Sequence, residues 1–583
     1  MGLRVEILKV LPIIAVAGFF GLTAVHAGTT GKIAGVVEDA QTGDLLASAS
    51  IVVLDTDMGT VSDPEGRFFI LNVAPGTYTL KVTYIGYGPV SIANVRVSTD
   101  LTTDLKFELT SKAIQGEEVV IRAERPIIDK NATNAVHIIQ GEDLEILPFR
   151  GVQNVLALQA GVVEDEGRLH IRGSRSDEIA YYVEGASVRN VVTGSSAVVL
   201  IDEAIEEVQL QSGGFNAEYG GANAGIILQD LRTGGNDWKA TLSSETDNFA
   251  KKGEKFLDTY SYGRSNRVLT LDGPLTSNTR AFISTQRRVR DFQTTFWDGF
   301  EFTDLIDSGD RGGGVHWADS GPDTVDLKLD GGNIPHTGSK ATDVNATLLF
   351  DFKPVTVQVT GLYSKSDQEY NFAPVANMLN EDRLAEAART SGLINIKATH
   401  LLDPSMFYEV NVSLYNQDRE VVDPNFGDNW WVYNDSVAVA RANSSFTPYT
   451  SQGSDPRPYD LNGFPFNRPG NGTGYYLKEG DQYQGVSGSV TKQRKAHELK
   501  AGFDYQIWTS RRYVIGLSSI RKAIATTYPN LDEVYDRYYA DEIKQGDILN
   551  EIIRAAEAAP DGQGDLDDLK ALIRNTSRAD FYG

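Results

Sequence analysis

The chain has 583 residues, of which 41% are hydrophobic and 23% charged, and its formal net charge is -25. That length requires several domains and the balanced composition excludes wholesale disorder. The acidity argues against a nucleic-acid partner, because phosphate binding needs clustered Lys and Arg, and the absence of Cys excludes disulfides, thiolate metal sites, Cys nucleophiles and a lipid anchor on an N-terminal Cys.

Arg4 and Lys9 precede the apolar run VLPIIAVAGFFGLTAV (10–25), and Val25-His26-Ala27 has the small-residue form of a signal-peptidase site. Residues 1–27 therefore read as a cleaved secretory signal. Beyond them no apolar run approaches the roughly 20 residues of a membrane helix. If the mature chain meets a bilayer, it must do so as a closed β-barrel.

Residues 30–110 read as short strands at the spacing of a β-sandwich. In TYTLKVTY (77–84), Tyr78, Leu80, Val82 and Tyr84 share one face and Thr77, Thr79, Lys81 and Thr83 the other, the pattern of a half-buried strand. DPEG (63–66) suits a type I turn. Next come Glu118, Val119, Val120, Ile121, Arg122 and Ala123, a run without turn residues. It is either the last strand of the sandwich or an exposed strand ready to join another protein's sheet edge.

Apolar spacing over 144–163 predicts a short helix ending near Gly161. The glycine-rich stretch 213–235 raises the question of a phosphate loop. Gly220 to Gly225 has the Walker spacing, but Ile226 and Ile227 stand where Lys and Ser or Thr are required. A dinucleotide fingerprint fails for want of the acidic ribose contact and the strand-turn-helix context. What remains is a compact sheet with tight bends where side chains have little room.

Two resemblances arise from these residues. The segments APGTYTL and YIGY within 30–110 resemble the regulatory-like domain first seen attached to zinc carboxypeptidases. A zinc carboxypeptidase site needs a His and Glu on one short segment plus a distant His. The seven histidines, His26, His137, His170, His316, His336, His400 and His497, are scattered and none is followed by Glu three residues on, so no enzyme, metal site or cofactor is expected. The second resemblance rests on EEVVIRA, IRGSRSDEIAYYVEGASV and IEEVQLQSGGFNAEYGGANAGIILQDLRTGG, which together resemble the plug of TonB-dependent outer-membrane receptors. The motif positions are Arg172 and Gly173, Glu184 and Gly185 (Asp is usual in the family at 184), and Ala217 to Gly220 with Glu218, Tyr219 and Gly220 at its centre. The resemblance makes residues 117–124 the TonB box and 125–235 the plug. The ending Leu228-Gln229-Asp230-Leu231-Arg232-Thr233-Gly234-Gly235 departs from the family's usual Asn-Ile-Val-Thr-Lys type.

Residues 236–583 read as an incomplete β-barrel. Val344, Ala346, Leu348 and Phe350 alternate with Asp343, Asn345 and Thr347, and Leu499, Ala501, Phe503, Tyr505 and Ile507 oppose Lys500, Asp504 and Gln506, as strands between lipid and a polar lumen should. A soluble sandwich shows the same alternation. Short connections at PLTSN (274–278), Lys353-Pro354, DPS (403–405) and KQRKA (492–496) alternate with long ones near 292–340, 369–389 and 421–480. Nine strands are expected, beginning near 237, 264, 280, 341, 355, 390, 406, 481 and 496. Family barrels close with 22, so the sequence is expected to stop inside an extracellular loop. Trp297, Trp317, Trp430, Trp431 and Tyr433 on the long loops are candidate ligand contacts, the alternative being local packing.

The expected fold is mainly β: an N-terminal β-sandwich, an α+β plug and a partial transmembrane antiparallel β-barrel. The resemblance implies an outer-membrane receptor that imports a scarce large substrate, with the TonB protein, outer-membrane lipid and a surface lipoprotein as partners. The alternative is a secreted β-sandwich adhesin or scaffold. Importers of siderophores, cobalamin, glycans and peptides share these motifs, so substrate choice lies in the loops. The acidic run Glu164-Asp165-Glu166 is read as solvated surface and not as a calcium site.

Overall fold

A computed structural model describes most of residues 30–515; the segments outside the described residues include 1–29, 112–118, 123–134, 307–323, 434–458 and 516–583. The signal at 1–27 and the end of the chain, 516–583, therefore lie outside the described residues. The described part is mostly β.

The first unit is built from β1 (Gly31–Asp39), β2 (Ser50–Val53), β3 (Gly59–Val61), β4 (Arg67–Val73), β5 (Gly76–Thr83), β6 (Val90–Val97) and β7 (Thr102–Leu109). A sheet of order β4-β1-β7 faces one of order β3-β2-β5-β6. Alternation drives this arrangement: Ile33, Val37, Ile51, Leu80, Val82, Phe68 and Phe107 pack into one buried core, while their strand neighbours face water. The second sheet has a fifth member, β8 (Val119–Arg122), which pairs parallel with β6 from Val90↔Val119 to Ala93↔Arg122. Of the two readings of the 118–123 run, the pairing of Val119–Arg122 bears on the first. Val119–Arg122 is a strand of the sandwich sheet, and among the described residues it is the outermost one.

The second unit holds a mixed sheet of order β13-β12-β15-β14-β9, from β9 (Val136–Gln140), β12 (Ile179–Val183), β13 (Ala186–Ser187), β14 (Ile205–Gln211) and β15 (Gly225–Leu231), beside a hairpin of β10 (Val162–Asp165) and β11 (Arg168–Ile171). Every residue of β12 and β15 is buried; β12 is apolar on both faces, whereas β15 buries Gln229 and Asp230 as well as Ile226, Ile227, Leu228 and Leu231. The helix expected over 144–163 is instead two short helices, Gly141–Ile146 and Val152–Leu156. The break has a cause in the chain: Leu147 precedes a proline and is extended (φ -72°, ψ 143°), as a pre-proline residue prefers, and Gly151 sits at φ 95°.

Around this unit runs a sheet of nine strands in sequential order, each antiparallel to the next: Lys239–Thr246, Ser265–Thr276, Thr279–Arg290, Ser339–Asp351, Val355–Glu369, Glu386–Asp403, Met406–Val422, Tyr476–Arg494 and His497–Ile515. All nine begin within five residues of the expected positions. Its polarity is inverted relative to a water-soluble sheet. Ser284, Asn345, Thr347, Thr360, Asn395, Ser413 and Asp481 are buried, whereas Leu269, Ile283, Ile394 (52% exposed), Ile396, Val410, Leu499 (63%) and Ile507 face outward. The inward face packs on the second unit: Val268, Phe282, Leu362, Leu393, Tyr415 and Tyr483 belong to the same apolar cluster as Ile179, Val208, Leu210 and Ile227. We call the sheet the wall and the enclosed unit the plug.

Two glycines mark close approaches. A Cβ at Gly225 would lie 2.7 Å from Ile171 Cδ1, and one at Gly234, where the chain leaves the plug for the wall, would lie 2.4 Å from the Ala281 carbonyl oxygen. Neither position has room for a larger residue.

Candidate functional site

The plug's two dipeptide motifs form tight turns. Glu184 (φ 50°) and Gly185 (φ 79°) connect β12 to β13, whose last and first residues pair as Val183↔Ala186; two consecutive positive φ values define the hairpin turn whose twist matches the strands. Arg172 (φ 52°) and Gly173 (φ 77°) follow β11, and Ser174 N donates to Ile171 O at 3.0 Å. A positive φ is costly for a long side chain such as Glu or Arg, so something must hold these residues there.

At Glu184 the holding groups come from the wall and from β15 of the plug. Its carboxylate pairs with Lys397 Nζ at 2.8 Å and accepts from Leu231 N at 2.9 Å. Its carbonyl accepts from Asn395 Nδ2 at 3.2 Å and Asn411 Nδ2 at 3.3 Å. The residue is 4% exposed, so the ion pair is nearly dry and its partners are what make that burial tolerable. Further bonds seat the plug higher up: Asn190 Nδ2 to Asp481 Oδ2 at 2.8 Å, Asn345 Oδ1 accepting from Ile201 N at 2.8 Å, and Tyr415 OH to Ala197 O at 2.9 Å. Arg172, in contrast, is exposed; its amide donates to Gly161 O at 2.7 Å.

The third motif lies at the plug's lower edge, where the sandwich meets it. Tyr219 is buried, stacks edge-on against Tyr182 with centroids 5.3 Å apart, and its hydroxyl donates to Asp100 Oδ2 of the sandwich. Tyr182 OH donates to Gly220 O at 3.3 Å. Glu218 pairs with Lys500 Nζ of the ninth wall strand at 2.6 Å, and Lys500 lies 3.8 Å from Asp100. Ala217 lies outside the described residues.

Sequence reasoning missed the sandwich's share in this site. Directly after β6, Ser98 Oγ donates to Glu207 Oε2 at 2.6 Å, Thr99 Oγ1 donates to Asp230 Oδ2 at 2.6 Å, and Gln209 Nε2 donates to Thr99 O at 3.2 Å. Burial pushes the Glu207 carboxyl up to about 7 against the opposing pull of the Ser98 hydroxyl and Arg96. Burial likewise raises Asp100 to about 7 despite Lys500 beside it, and it raises Asp230, with Glu184 adding to the effect. The seam is thus a desolvated carboxyl cluster closed by hydroxyl donors. Lys32 of β1 reaches the wall as well, donating to Gln493 Oε1 at 2.9 Å and Glu498 Oε2 at 3.2 Å. Gln493 and Glu498 are register partners on the last two wall strands, next to the Arg494↔His497 pair that ends their ladder, so the sandwich sits at that end of the wall.

The candidate loop aromatics separate into two groups. Trp430 and Tyr433 (1% exposed) are buried in one cluster with Tyr476. Tyr433 OH donates to Gly427 O at 2.5 Å and accepts from Asp423 N at 2.9 Å, and Tyr433 O accepts from Arg383, whose guanidinium pairs with Asp423 at 2.6 Å. These two residues pack their own loop. Trp317 and Trp431 lie outside the described residues, and Trp297 is described only as backbone of a two-residue strand.

Parts of the chain are similar to known proteins. Residues 33–121 match the model of the CarboxypepD_reg-like domain, and 129–226 match that of the TonB-dependent receptor plug domain. The chain is 26% identical over 251 residues to the TonB-dependent transporter Oar of Myxococcus xanthus, covering 41% of this chain and 24% of that protein. It is 30% identical over 166 residues to human Carboxypeptidase D, covering 27% of this chain and 12% of that one. The chain therefore spans far less than two thirds of either relative. Among solved structures, the outer membrane transporter YddB from Escherichia coli aligns with 65% of this chain and 48% of its own at 12% identity and a TM-score of 0.42; the FrpB iron transporter from Neisseria meningitidis aligns with 64% and 49% at 11% identity and 0.41.

Proposed function

We propose that this chain, which carries a carboxypeptidase-regulatory-like domain followed by a TonB-dependent receptor plug domain, is part of an outer-membrane transporter that draws on TonB to import a scarce, large substrate. The observation that carries the reading is the inverted wall: nine strands with polar side chains turned toward a plug and Leu, Ile and Val turned outward. Burial of Asn345 and Asn395 beneath exposed Ile394 and Ile396 is favourable when the outer medium is hydrocarbon and the inner one a hydrogen-bonding plug. It is unfavourable for the secreted adhesin, whose outer face meets water.

In this reading the signal at 1–27 directs export, the sandwich lies in the periplasm, and residues 118–123 form the TonB box. Substrate meets the long loops and the plug's outer face; TonB pulls from below and the plug shifts within the wall. No bond in the substrate is made or broken, so the protein is not an enzyme. The test is a deletion of Glu118 to Ala123 in the membrane-embedded protein. Outer-membrane vesicles carrying the intact chain should capture the periplasmic part of TonB, and the deletion should abolish capture; undiminished capture would contradict the reading.

A further inference from the structure

The segment expected to be pulled, β8, is hydrogen-bonded along its whole length to β6 in parallel register. β6 ends at Val97, and the next three residues, Ser98, Thr99 and Asp100, are those that bond Glu207, Asp230 and Tyr219 of the plug. Glu207 lies on β14 and Asp230 on β15, adjacent strands paired with each other. Two mechanical routes therefore join residues 119–122 to the plug. The covalent one runs through residues 123–135, a contour of roughly 45 Å. The other is a parallel ladder followed at once by a buried turn.

We propose that the regulatory-like domain is a force relay: TonB engages β8 while β8 stays paired to β6, and tension reaches β14 and β15 through the Ser98-Thr99-Asp100 turn. This rests on the reading of 118–123 as the TonB box. The geometry suits the role in three ways. Among the described residues β8 is the last strand in its sheet, β3-β2-β5-β6-β8, so its far edge can accept a partner strand without displacement from β6. A pull along the strand loads the β6–β8 hydrogen bonds together rather than one after another. The turn ends on carboxylates that are themselves nearly dry, Glu207 and Asp230 being 0% and 5% exposed, where a hydrogen bond is stronger than at a wet surface.

Because the chain has no Cys, single thiol reporters are unambiguous. Ser212→Cys, buried next to the end of β14, reports plug movement through maleimide labelling in energised cells, relative to cells lacking TonB. The double variant Ser98→Ala with Thr99→Val should lower the TonB-dependent labelling rate about tenfold while TonB capture by vesicles is unchanged. Protease resistance of the sandwich checks that it is still folded, and the plug-side pair Glu207→Ala with Asp230→Ala, which removes both acceptors, should act in the same direction. If these variants label as fast as the parent while deletion of 118–123 abolishes labelling, the relay is wrong and the TonB-box reading stands. If the deletion itself leaves labelling unchanged, the TonB-box reading fails. In a separate protein, Ala93→Cys with Arg122→Cys joins a register pair of β6 and β8; the oxidised form should bind TonB as well as the reduced form does. Loss of binding on oxidation, restored by reductant, would mean that β8 must leave β6 and would overturn the relay.

Discussion

The sandwich and the wall use the same sequence period in opposite senses. In β5, Leu80 and Val82 are buried and Thr77 and Thr83 exposed; in the sixth wall strand, Asn395 and Lys397 are buried and Ile394 and Ile396 exposed. A period of two residues places side chains on two faces and says nothing about which face is inside. What decides is the medium on each side. The sandwich buries apolar groups because water surrounds it, and the wall turns them outward because its polar face has a plug to bond.

The contrast can be broken at several points. The largest effect is expected in the sandwich core: Phe107→Ala removes a ring packed 5.9 Å from Phe68 and should cost about 4 kcal/mol, read by hydrogen exchange of β1 and β7. On the inner face of the wall the vulnerable group is a charge. Lys397→Ala leaves Glu184 buried without its ion-pair partner and should loosen the plug by about 3 kcal/mol, measured as the denaturant midpoint at which β12 loses exchange protection. On the outer face, Ile394→Arg should cost about 2 kcal/mol or more in a bilayer, whereas Ile85→Arg, on an exposed sandwich turn (95% exposed), should stay within about 0.5 kcal/mol.

A smaller effect sharpens the comparison at the seam. Burial raises the Glu207 carboxyl from its ordinary 4.5 to about 7. A carboxyl whose docked value lies above its undocked one stabilises docking fully below the ordinary value, and that contribution is lost as pH rises through the docked value. Asp100, raised in the same sense, adds to it. Exchange protection of the Thr99 amide should therefore fall between about pH 5 and pH 8, and Glu207→Gln should reduce the slope; a slope of opposite sign would show that both groups dock as stabilised anions.

Strand positions in the wall were legible because alternation and turn chemistry are local. The seat of Glu184 was half legible: an acidic residue before Gly185 signals a turn, but its partners Asn395, Lys397 and Asn411 are more than 200 residues away. The pairing of β8 with β6 was not visible, since a parallel partner requires a crossover that no turn residue announces. Ser98, Thr99 and Asp100 look like any polar turn, and only the approach of Glu207, Asp230 and Tyr219 distinguishes them. Aromatic loop residues carry no signal separating a ligand contact from a local core, which is why Trp430 and Tyr433 had to be located in space.

The most direct test of the inverted wall is spin labelling in a bilayer, with single probes at Ile394→Cys, Ile396→Cys, Leu499→Cys and, for comparison, Ile85→Cys. The account predicts that the three wall probes are relaxed by oxygen, which partitions into lipid, and shielded from a water-soluble nickel reagent, with the reverse at 85. Wall probes that respond to nickel as strongly as the sandwich probe would contradict it.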